Sequence, residues 1–218
     1  MYRFTISILL FLFGYFNAHA DSLVYNLRSY TTTTGLSDNQ VTCIIKDHFG
    51  FIWVGTKDGL NRFDGRNFQI FQYRLNSNSV CGNNITCLEI TDDSLLWIGT
   101  ASNGFCSYDY RTNQFKSYNT QNSKLRVDNI NDLVFDRIRN CLWIAMNNGG
   151  LQQFALSKMQ VNPQIFSKNT YFSVAVKDSL SFFAGITESL KTLDKIGKTK
   201  YSGDDIGHTF NTIYIDPD

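Results

Sequence analysis

The sequence predicts an all-β fold of β-propeller blades, each built from four antiparallel strands. A short phrase recurs as Trp53-Val54-Gly55-Thr56, Trp97-Ile98-Gly99-Thr100 and Trp143-Ile144-Ala145-Met146. Successive tryptophans are 44 and 46 residues apart. Each phrase lies among short runs of β-branched and aromatic residues that are separated by turn residues. A repeat of this length, made of short strands, is typical of propeller blades.

The first copy shows the four strands most clearly, at residues 41–45, 51–56, 60–63 and 68–73. The first of these strands has apolar or small residues on both faces, which predicts that it is buried between blades. The second copy predicts strands at 85–90, 95–100, 105–108 and 114–118. The third predicts strands at 130–135, 141–145 and 151–154, followed by a less distinct fourth strand.

The copies cover nearly the whole chain and predict between four and five blades. The boundaries fall near 35–75, 79–120, 125–160 and 168–203, and a further copy starts at 208–218. In the fourth copy the phrase has decayed to Phe183-Ala184-Gly185-Ile186. Propellers close with typically about four to eight blades. A four-bladed ring is possible, but the half-copy at the end favours an incomplete seven-bladed propeller over 21–218. We therefore expect the chain to be the front part of a longer protein or a truncated gene product.

Residues 1–20 form a predicted secretory signal. Arg3 supplies a positive start, residues 6–16 are largely apolar, and Ala18-His19-Ala20 has the small-x-small pattern that signal peptidase cuts after. The apolar run is shorter than the ~20 residues needed to span a bilayer. We expect cleavage before Asp21 and a periplasmic or secreted mature chain, with an uncleaved anchor as the alternative.

The charge balance does not indicate a nucleic-acid partner. The chain has 20 basic and 19 acidic residues. Loss of Arg3 with the signal leaves 20 − 1 = 19 basic residues against 19 acidic ones. A mature chain without net charge has no electrostatic attraction to nucleic acid or to an anionic membrane.

The five cysteines are Cys43, Cys81, Cys87, Cys106 and Cys141. Export makes disulfides possible, but the number is odd and no pair has Cys-x-x-Cys spacing. Cys43 and Cys87 occupy equivalent positions in successive copies, which favours buried core residues over a bridge. The disulfide state of the five cysteines stays open.

The recurring tryptophans have two interpretations. They could be platforms on which sugars stack, or they could fill the space between neighbouring blades. Their regular recurrence in the middle of a strand favours packing, because large aromatic side chains bury the most area. Gly55 and Gly99 are expected to permit close backbone approach in an inner strand. Phosphate binding is disfavoured at these glycines because no helix start follows them.

We predict no catalytic, cofactor-binding or metal-binding residue, and the ligand-binding residues stay unknown. After the signal, His48 and His208 each stand alone without metal-ligand spacing, and His48 is expected in a solvated turn. No hydrolase or phosphate-loop motif is present, and no run has the ligand density of a calcium loop. The remaining acidic candidates are interpreted as turn formers: Asp47, Asp58, Asp64, Asp92-Asp93 and Asp216-Pro217-Asp218.

One known family matches these repeats. The run Gly35-Leu36-Ser37-Asp38-Asn39-Gln40-Val41 is followed by Asp47, Gly50, the Trp53 phrase and Gly59-Leu60-Asn61-Arg62-Phe63-Asp64-Gly65. This pattern resembles the two-component regulator propeller repeat. The resemblance covers about residues 23–218 and is weakest in the fourth copy, where Phe183 replaces the tryptophan.

The resemblance implies a place in the periplasmic sensor of a hybrid two-component system of Bacteroides-type bacteria. Such sensors have two seven-bladed propellers, a β-sandwich linker, a membrane helix and a histidine kinase. In this family a product of polysaccharide breakdown binds the periplasmic part, and a dimer passes the signal on. The implied partners are an oligosaccharide, the remaining blades and signalling domains, and a second copy of the parent protein. No ligand-binding residue carries over to this chain.

Three functions follow from these observations. The first is the N-terminal part of a periplasmic ligand-sensing propeller, with the kinase outside this chain. The second is a free-standing secreted module that binds carbohydrate or protein. The third is a propeller lyase or hydrolase, which the scarcity of histidines and the lack of a catalytic motif disfavour, so no enzymatic activity is expected.

Overall fold

The computed structural model describes residues 27–92, 94–163, 170–176, 182–186, 190–193 and 199–202. These residues form β-strands and two short 3-10 turns, Thr32–Thr34 and Leu156–Lys158. The strands are β1 (Val41–Lys46), β2 (Ile52–Thr56), β3 (Gly59–Phe63), β4 (Phe68–Phe71), β5 (Ile85–Ile90), β6 (Leu95–Thr100), β7 (Phe105–Asp109), β8 (Gln114–Tyr118), β9 (Ile130–Asp136), β10 (Cys141–Met146), β11 (Gly150–Ala155), β12 (Gln160–Val161), β13 (Tyr171–Val176), β14 (Phe182–Ile186), β15 (Leu190–Leu193) and β16 (Thr199–Ser202).

The described strands form four separate antiparallel sheets, and within each sheet the strands follow chain order. We call these sheets blade 1 (β1–β4), blade 2 (β5–β8), blade 3 (β9–β12) and blade 4 (β13–β16). Each blade is therefore a simple meander, as the sequence predicts. The all-β fold of four-stranded antiparallel blades is confirmed, and completion to seven blades stays a prediction.

The first strands of successive blades lie side by side. Strand β1 contacts β5, β5 contacts β9, and β9 contacts β13. The second strands β2, β6 and β10 also contact the first strand of the next blade. The first strand of each sheet is therefore innermost, and the fourth strand lies at the outer rim.

The core consists of apolar clusters between neighbouring blades, and each cluster contains one of the recurring tryptophans. Trp53 lies between blades 1 and 2, Trp97 between blades 2 and 3, and Trp143 between blades 3 and 4. Their exposed fractions are 0%, 0% and 1%. The packing interpretation is confirmed. A ring without an open face cannot serve as a stacking platform for a sugar.

Close approach explains the glycines that follow two of these tryptophans. A Cβ on Gly55 would lie 2.5 Å from the Cys43 sulfur and 2.7 Å from a methyl carbon of Ile85. A Cβ on Gly99 would collide with the Cys87 sulfur in the same way. The sequence predicted close approach of backbone at these glycines, and the structure shows instead close approach of side chains. It occurs in β2 and β6, each the second strand of its blade, at the level of a register shift in the neighbouring first strand.

The prediction that β1 is buried on both faces is wrong. One face packs against blade 2, but on the other face Val41 and Ile44 are 44% and 64% exposed. Ile52 and Ile70, on the same face of the sheet, are also exposed. Blade 1 is the first in order, so no described blade covers this face.

The later blades depart from the regular pattern at their outer strands. The indistinct fourth strand of blade 3 is β12, which has only two residues. Strand β16, the fourth strand of blade 4, was not predicted from the sequence. The predicted signal at 1–20 and the start of a further copy at 208–218 lie outside the described residues. Within the described part of the chain, no helix has the length and apolar character that crossing a membrane requires.

Candidate ligand-binding site

A cavity of about 540 Å³ lies at the end of the propeller where the first and second strands of blades 1 to 3 are connected. We call it the hairpin-end cavity. Its walls come from the β1–β2 and β5–β6 connections and from the start of the β9–β10 connection. They include Lys46, His48, Glu89, Asp92, Ser94 and Arg137.

Local hydrogen bonds hold the first of these connections in shape. The Asp47 carboxylate accepts the backbone N–H groups of Phe49 and Phe51, each at 2.9 Å. Gly50 has a φ of +93°, a conformation that favours glycine. These contacts orient the exposed His48 toward the next blade, where its Nε2 lies 3.3 Å from Ser94 Oγ.

The cavity carries charges of both signs. A nitrogen of Arg137 lies 2.6 Å from Asp92 Oδ1 and so joins the connections of blades 2 and 3. Both side chains of this pair are mostly exposed, so the pair contributes little to stability. Both remain accessible to polar groups of a ligand.

Glu89 is the cavity residue with the most perturbed ionisation. Burial raises the pKa of Glu89 to about 7, and the nearby carboxylate of Asp132 also raises it. Hydrogen bonds from the backbone N–H groups of Ile90 and Phe135 act in the opposite direction. The Glu89 carboxyl therefore changes its charge near neutral pH and can donate or accept a hydrogen bond.

Asp132 lies in the first strand of blade 3, at the position that Cys87 occupies in blade 2, and between blades 3 and 4. Burial raises the pKa of Asp132 to about 6. Its Oδ2 accepts the backbone N–H of Val174 at 2.9 Å, so the carboxylate joins the two blades. Asp132 therefore has a structural role beside the cavity.

Sequence analysis missed Glu89 and Asp132, although a signal for them was present. Glu89 lies opposite Trp97, just as Ile45 lies opposite Trp53. Asp132 lies opposite Ala145, just as Cys43 lies opposite Gly55. A carboxylate that replaces an apolar residue at a repeated inner-strand position is a departure that alignment of the copies could have revealed.

The turn-forming carboxylates mostly have the local roles predicted for them. Asp64 accepts the backbone N–H groups of Arg66 and Asn67, and the Asp58 carboxylate accepts the amides of Gln72 and Asn83. Asp47 does more than form a turn, because it is buried and accepts the Trp53 indole N–H at 2.8 Å. His208, Asp93, Asp216 and Asp218 lie outside the described residues. In the described ranges, no group of three or more metal-binding side chains occurs.

Comparison with known proteins supports the resemblance. Residues 35–58 match the family model described as "Two component regulator propeller". A stretch of 66 residues is 41% identical to Histidine kinase P4 of Formosa agariphila, and it covers 30% of this chain and 5% of that protein. The chain carries the propeller repeat that its sequence predicted.

Solved structures show the same fold. The extracellular domain assigned to the hybrid two component system BT3049 of B. thetaiotaomicron superimposes with a TM-score of 0.72 at 21% identity, over 80% of this chain and 26% of that chain. The computationally designed Ika8 protein superimposes with a TM-score of 0.59 at 16% identity, over 82% of this chain and 54% of that chain. At these identities the likeness concerns the fold alone, and this chain spans only part of each relative.

Proposed function

We propose that this chain, which carries the two component regulator propeller repeat, is part of the ligand-sensing propeller of a hybrid two-component sensor. The ligand is an oligosaccharide. The signal passes to a histidine kinase that lies outside this chain. The likeness of the fold to the extracellular domain of BT3049 is the observation that carries this proposal, and the similarity to Histidine kinase P4 supports it.

The site that best suits a sugar is the hairpin-end cavity. It has the size of a small-molecule site. Its accessible groups include a carboxyl, an imidazole, a hydroxyl and two cations, which together can donate and accept hydrogen bonds from sugar hydroxyl groups. The tryptophans take no part because they are buried between the blades.

The predicted signal at residues 1–20 supports a location in the periplasm, where such a propeller would meet its ligand. There the mature chain would adjoin further blades and signalling domains of a longer parent protein, in which a dimer would pass the signal on. The exposed isoleucines of blade 1 favour this arrangement over the free-standing module, because an isolated module would leave them in water.

Calorimetric titration of the purified chain with a panel of neutral and acidic tetrasaccharides tests the proposal. We expect at least one sugar to bind with a micromolar dissociation constant. A ligand at 100 times its dissociation constant should raise the free energy of unfolding by about 2.7 kcal/mol. Glu89→Gln should weaken binding at the hairpin-end cavity, whereas Lys57→Gln, on an exposed turn of blade 1, should not. If no sugar in the panel binds at millimolar concentration, the proposed function is wrong.

A further inference from the structure

A second recess lies at the outer rim between blades 2 and 3, remote from the innermost strands. We call it the blade 2–3 groove. Two cavities of about 440 and 370 Å³ share Lys116 and Met159, and a third of about 180 Å³ shares Lys124 and Gln160 with the first. They follow one another along β8, β12 and the segments next to them.

The groove exists because the packing between blades 1 and 2 is not repeated between blades 2 and 3. Between blades 1 and 2, the guanidinium of Arg62 lies over the rings of Phe51 and Trp53, and the ring of Phe115 packs on Phe71. These side chains fill the rim of that interface.

Smaller residues stand at the equivalent positions between blades 2 and 3. Ser107 takes the place of Arg62. It lies opposite Trp97, whereas Arg62 lies opposite Trp53. Val161 is the equivalent of Phe115 one blade further on. It pairs with Phe154 in β11, whereas Phe115 pairs with Tyr108 in β7. Loss of an arginine and a phenylalanine ring, together with the two-residue length of β12, leaves the space open.

The open space is positively charged. Lys116, Lys124 and Lys158 line it, and none of them has a carboxylate partner among the described residues. Asp109 is the one carboxylate among the residues that line these three cavities, and it is paired with Arg111. Three ammonium groups are therefore uncompensated in a chain whose overall net charge is only +1.

The floor of the groove offers an aromatic ring and a buried hydroxyl. Tyr118 is 5% exposed, and its ring stacks on Phe105 with centroids 5.1 Å apart. Its hydroxyl is buried without a well-formed hydrogen bond, with the Ser107 hydroxyl as a polar neighbour.

Met159, which separates the two larger cavities, has the left-handed backbone conformation with a φ of +49°. In this conformation Met159 ends the 3-10 turn Leu156–Lys158, and its backbone N–H donates to the carbonyl of Leu156. The flexible thioether chain can also adapt its shape to a bound molecule.

We propose that the blade 2–3 groove binds an acidic oligosaccharide, one whose sugars carry carboxylate or sulfate groups. The lysines hold the anionic groups, and the side chains of Asn122, Ser123 and Gln160 in the walls bind the sugar hydroxyls. A single inorganic anion would fill only a small part of the joined cavities. The choice of a sugar rests on the proposed function, whereas the preference for an anionic ligand rests on the groove alone.

Calorimetry on the full chain with three tetrasaccharides tests this inference: a galacturonic acid tetramer, a sulfated galactose tetramer and a neutral galactose tetramer. We expect at least one of the acidic tetramers to bind at least 10-fold more tightly than the neutral one. The double variant Lys116→Gln/Lys124→Gln should remove this advantage. Lys57→Gln, which removes an exposed lysine of blade 1 outside both cavities, should leave this advantage unchanged. Circular dichroism checks that the exposed lysine substitutions preserve the fold.

Each other outcome overturns the inference in a distinguishable way. If the neutral tetramer binds equally well and the lysine variants have no effect, the groove assignment is wrong while the proposed function stands. If no tetramer binds, both are wrong. Inorganic sulfate is the last comparison. If sulfate binds the groove as tightly as the acidic tetramer does, the groove holds a simple anion and not a sugar.

Two cysteines carry a second, independent inference. Cys81 lies in the connection between β4 and β5, and Cys106 lies on β7. Their sulfur atoms are 2.7 Å apart, closer than two unbonded sulfurs ordinarily approach, and both residues are buried between blades 1 and 2. All five cysteines, this pair included, are free thiols in the structure.

We infer that Cys81 and Cys106 form a disulfide when the chain is exported to an oxidising compartment. The two thiols lose two protons and two electrons as the S–S bond forms. An oxidoreductase that carries a disulfide accepts the electrons and becomes a dithiol. Because burial raises the pKa of the Cys81 thiol well above its usual value, the reactive thiolate is available mainly before the two blades have packed.

Thiol labelling of the full chain under denaturing conditions tests this bond. Of the five cysteines, 5 − 2 = 3 should be labelled in protein exported to the periplasm, and all five in protein kept in the cytoplasm. Peptide mapping should join Cys81 to Cys106. Cys106→Ala should lower the unfolding temperature of exported protein by about 10 °C, and Cys141→Ala should not change the number of cysteines that escape labelling. Five labelled thiols in exported protein would overturn the inference.

Discussion

Hydrogen bonds to the indole groups repeat from blade to blade although the accepting residues differ. The indole N–H of Trp53 donates to Asp47 at 2.8 Å. The indole N–H of Trp97 donates to Thr91 at 3.1 Å, and that of Trp143 donates to Asp136 at 3.2 Å. A buried indole N–H without a partner would be costly. The residue at the end of the first strand, or directly after it, therefore helps to decide whether a tryptophan can fill the blade interface.

Asp47 should contribute more to stability than an exposed turn aspartate. We expect Asp47→Ala to lower the free energy of unfolding by about 3 kcal/mol, because it leaves an indole and two backbone N–H groups without their acceptor. Urea titration measures the effect. Asp64→Ala, which removes an exposed turn former, is the matched control and should cost much less. Equal losses in the two variants would contradict this role for Asp47.

The raised pKa of Glu89 predicts how stability depends on pH. The folded chain keeps the Glu89 proton up to a pKa of about 7, whereas the unfolded chain releases it near the usual value of 4.5. The folded state binds more protons between these values, so stability falls as pH rises from about 4.5 to 7. Asp132, with a pKa of about 6, acts in the same direction.

The variant Glu89→Gln isolates the contribution of this residue. It should remove about 1–3 kcal/mol of the stability difference between pH 5 and pH 7.5, because the amide does not titrate. Urea titrations at a series of pH values measure this difference. The exposed Asp58→Asn is the control. A pH profile that stays the same in Glu89→Gln would show that its carboxyl titrates normally.

At the level of single elements, each blade depends on close contact between its first two strands. The register of β1 shifts just before Cys43, that of β5 just before Cys87, and that of β13 just before Ser173. Each of these residues lies opposite a glycine in the second strand. Blade 3 has the same shift just before Asp132, but there the opposite residue is Ala145. The glycine therefore makes room for the side chain of the shifted strand in blades 1 and 2, and blade 3 accommodates a methyl group at this position.

A double-mutant cycle at Gly99 tests this contact. Gly99→Ala should lower the free energy of unfolding by about 2 kcal/mol, because the new methyl group collides with the Cys87 sulfur. Cys87→Ala makes room for the methyl group. The combined variant should therefore lose less stability than the sum of the two single variants, as denaturant titration measures. Simple additivity would mean that the sulfur is not the obstacle.

The sequence predicts strands well where its pattern is strong. Strands β1, β5 and β9 combine β-branched runs with a turn and a following tryptophan phrase, and the structure places them within a residue or two of their predicted bounds. Strands β12 and β16 lie at the outer rim and lack such a phrase. Rim strands bury less apolar surface, so their residues vary more freely and give a weaker signal.

At the scale of the molecule, blade 1 presents a sheet face that is only partly covered, by the segment that packs Tyr30 on Phe63 and bonds Ser37 to Asn61. Ile44, Ile52 and Ile70 on this face are 64%, 36% and 45% exposed. The opposite face of the same sheet packs against blade 2 through Trp53 and Leu60. An exposed apolar sheet face of this kind promotes association between copies of a chain.

Substitution on this face should reduce self-association of the purified chain. We expect the wild-type chain to sediment as concentration-dependent oligomers and Ile44→Thr/Ile70→Thr to shift it toward the monomer. Ile138→Thr changes an equally exposed isoleucine that stands in a turn, away from this face, and should have no effect. Sedimentation velocity distinguishes these outcomes. A wild-type chain that remains monomeric at high concentration would contradict the expectation.

The sequence alone determined the repeating blade and the role of its tryptophans. These properties depend on residue order along one strand and its turns, and they recur at a period that can be counted. Only the tertiary structure decided which blade interfaces are filled and which are open. The space beside Tyr118 depends on Ser107, Val161 and the short β12, which are distant in the chain and meet only when two blades pack. The ionisation of Glu89 likewise depends on the burial that the neighbouring blade imposes.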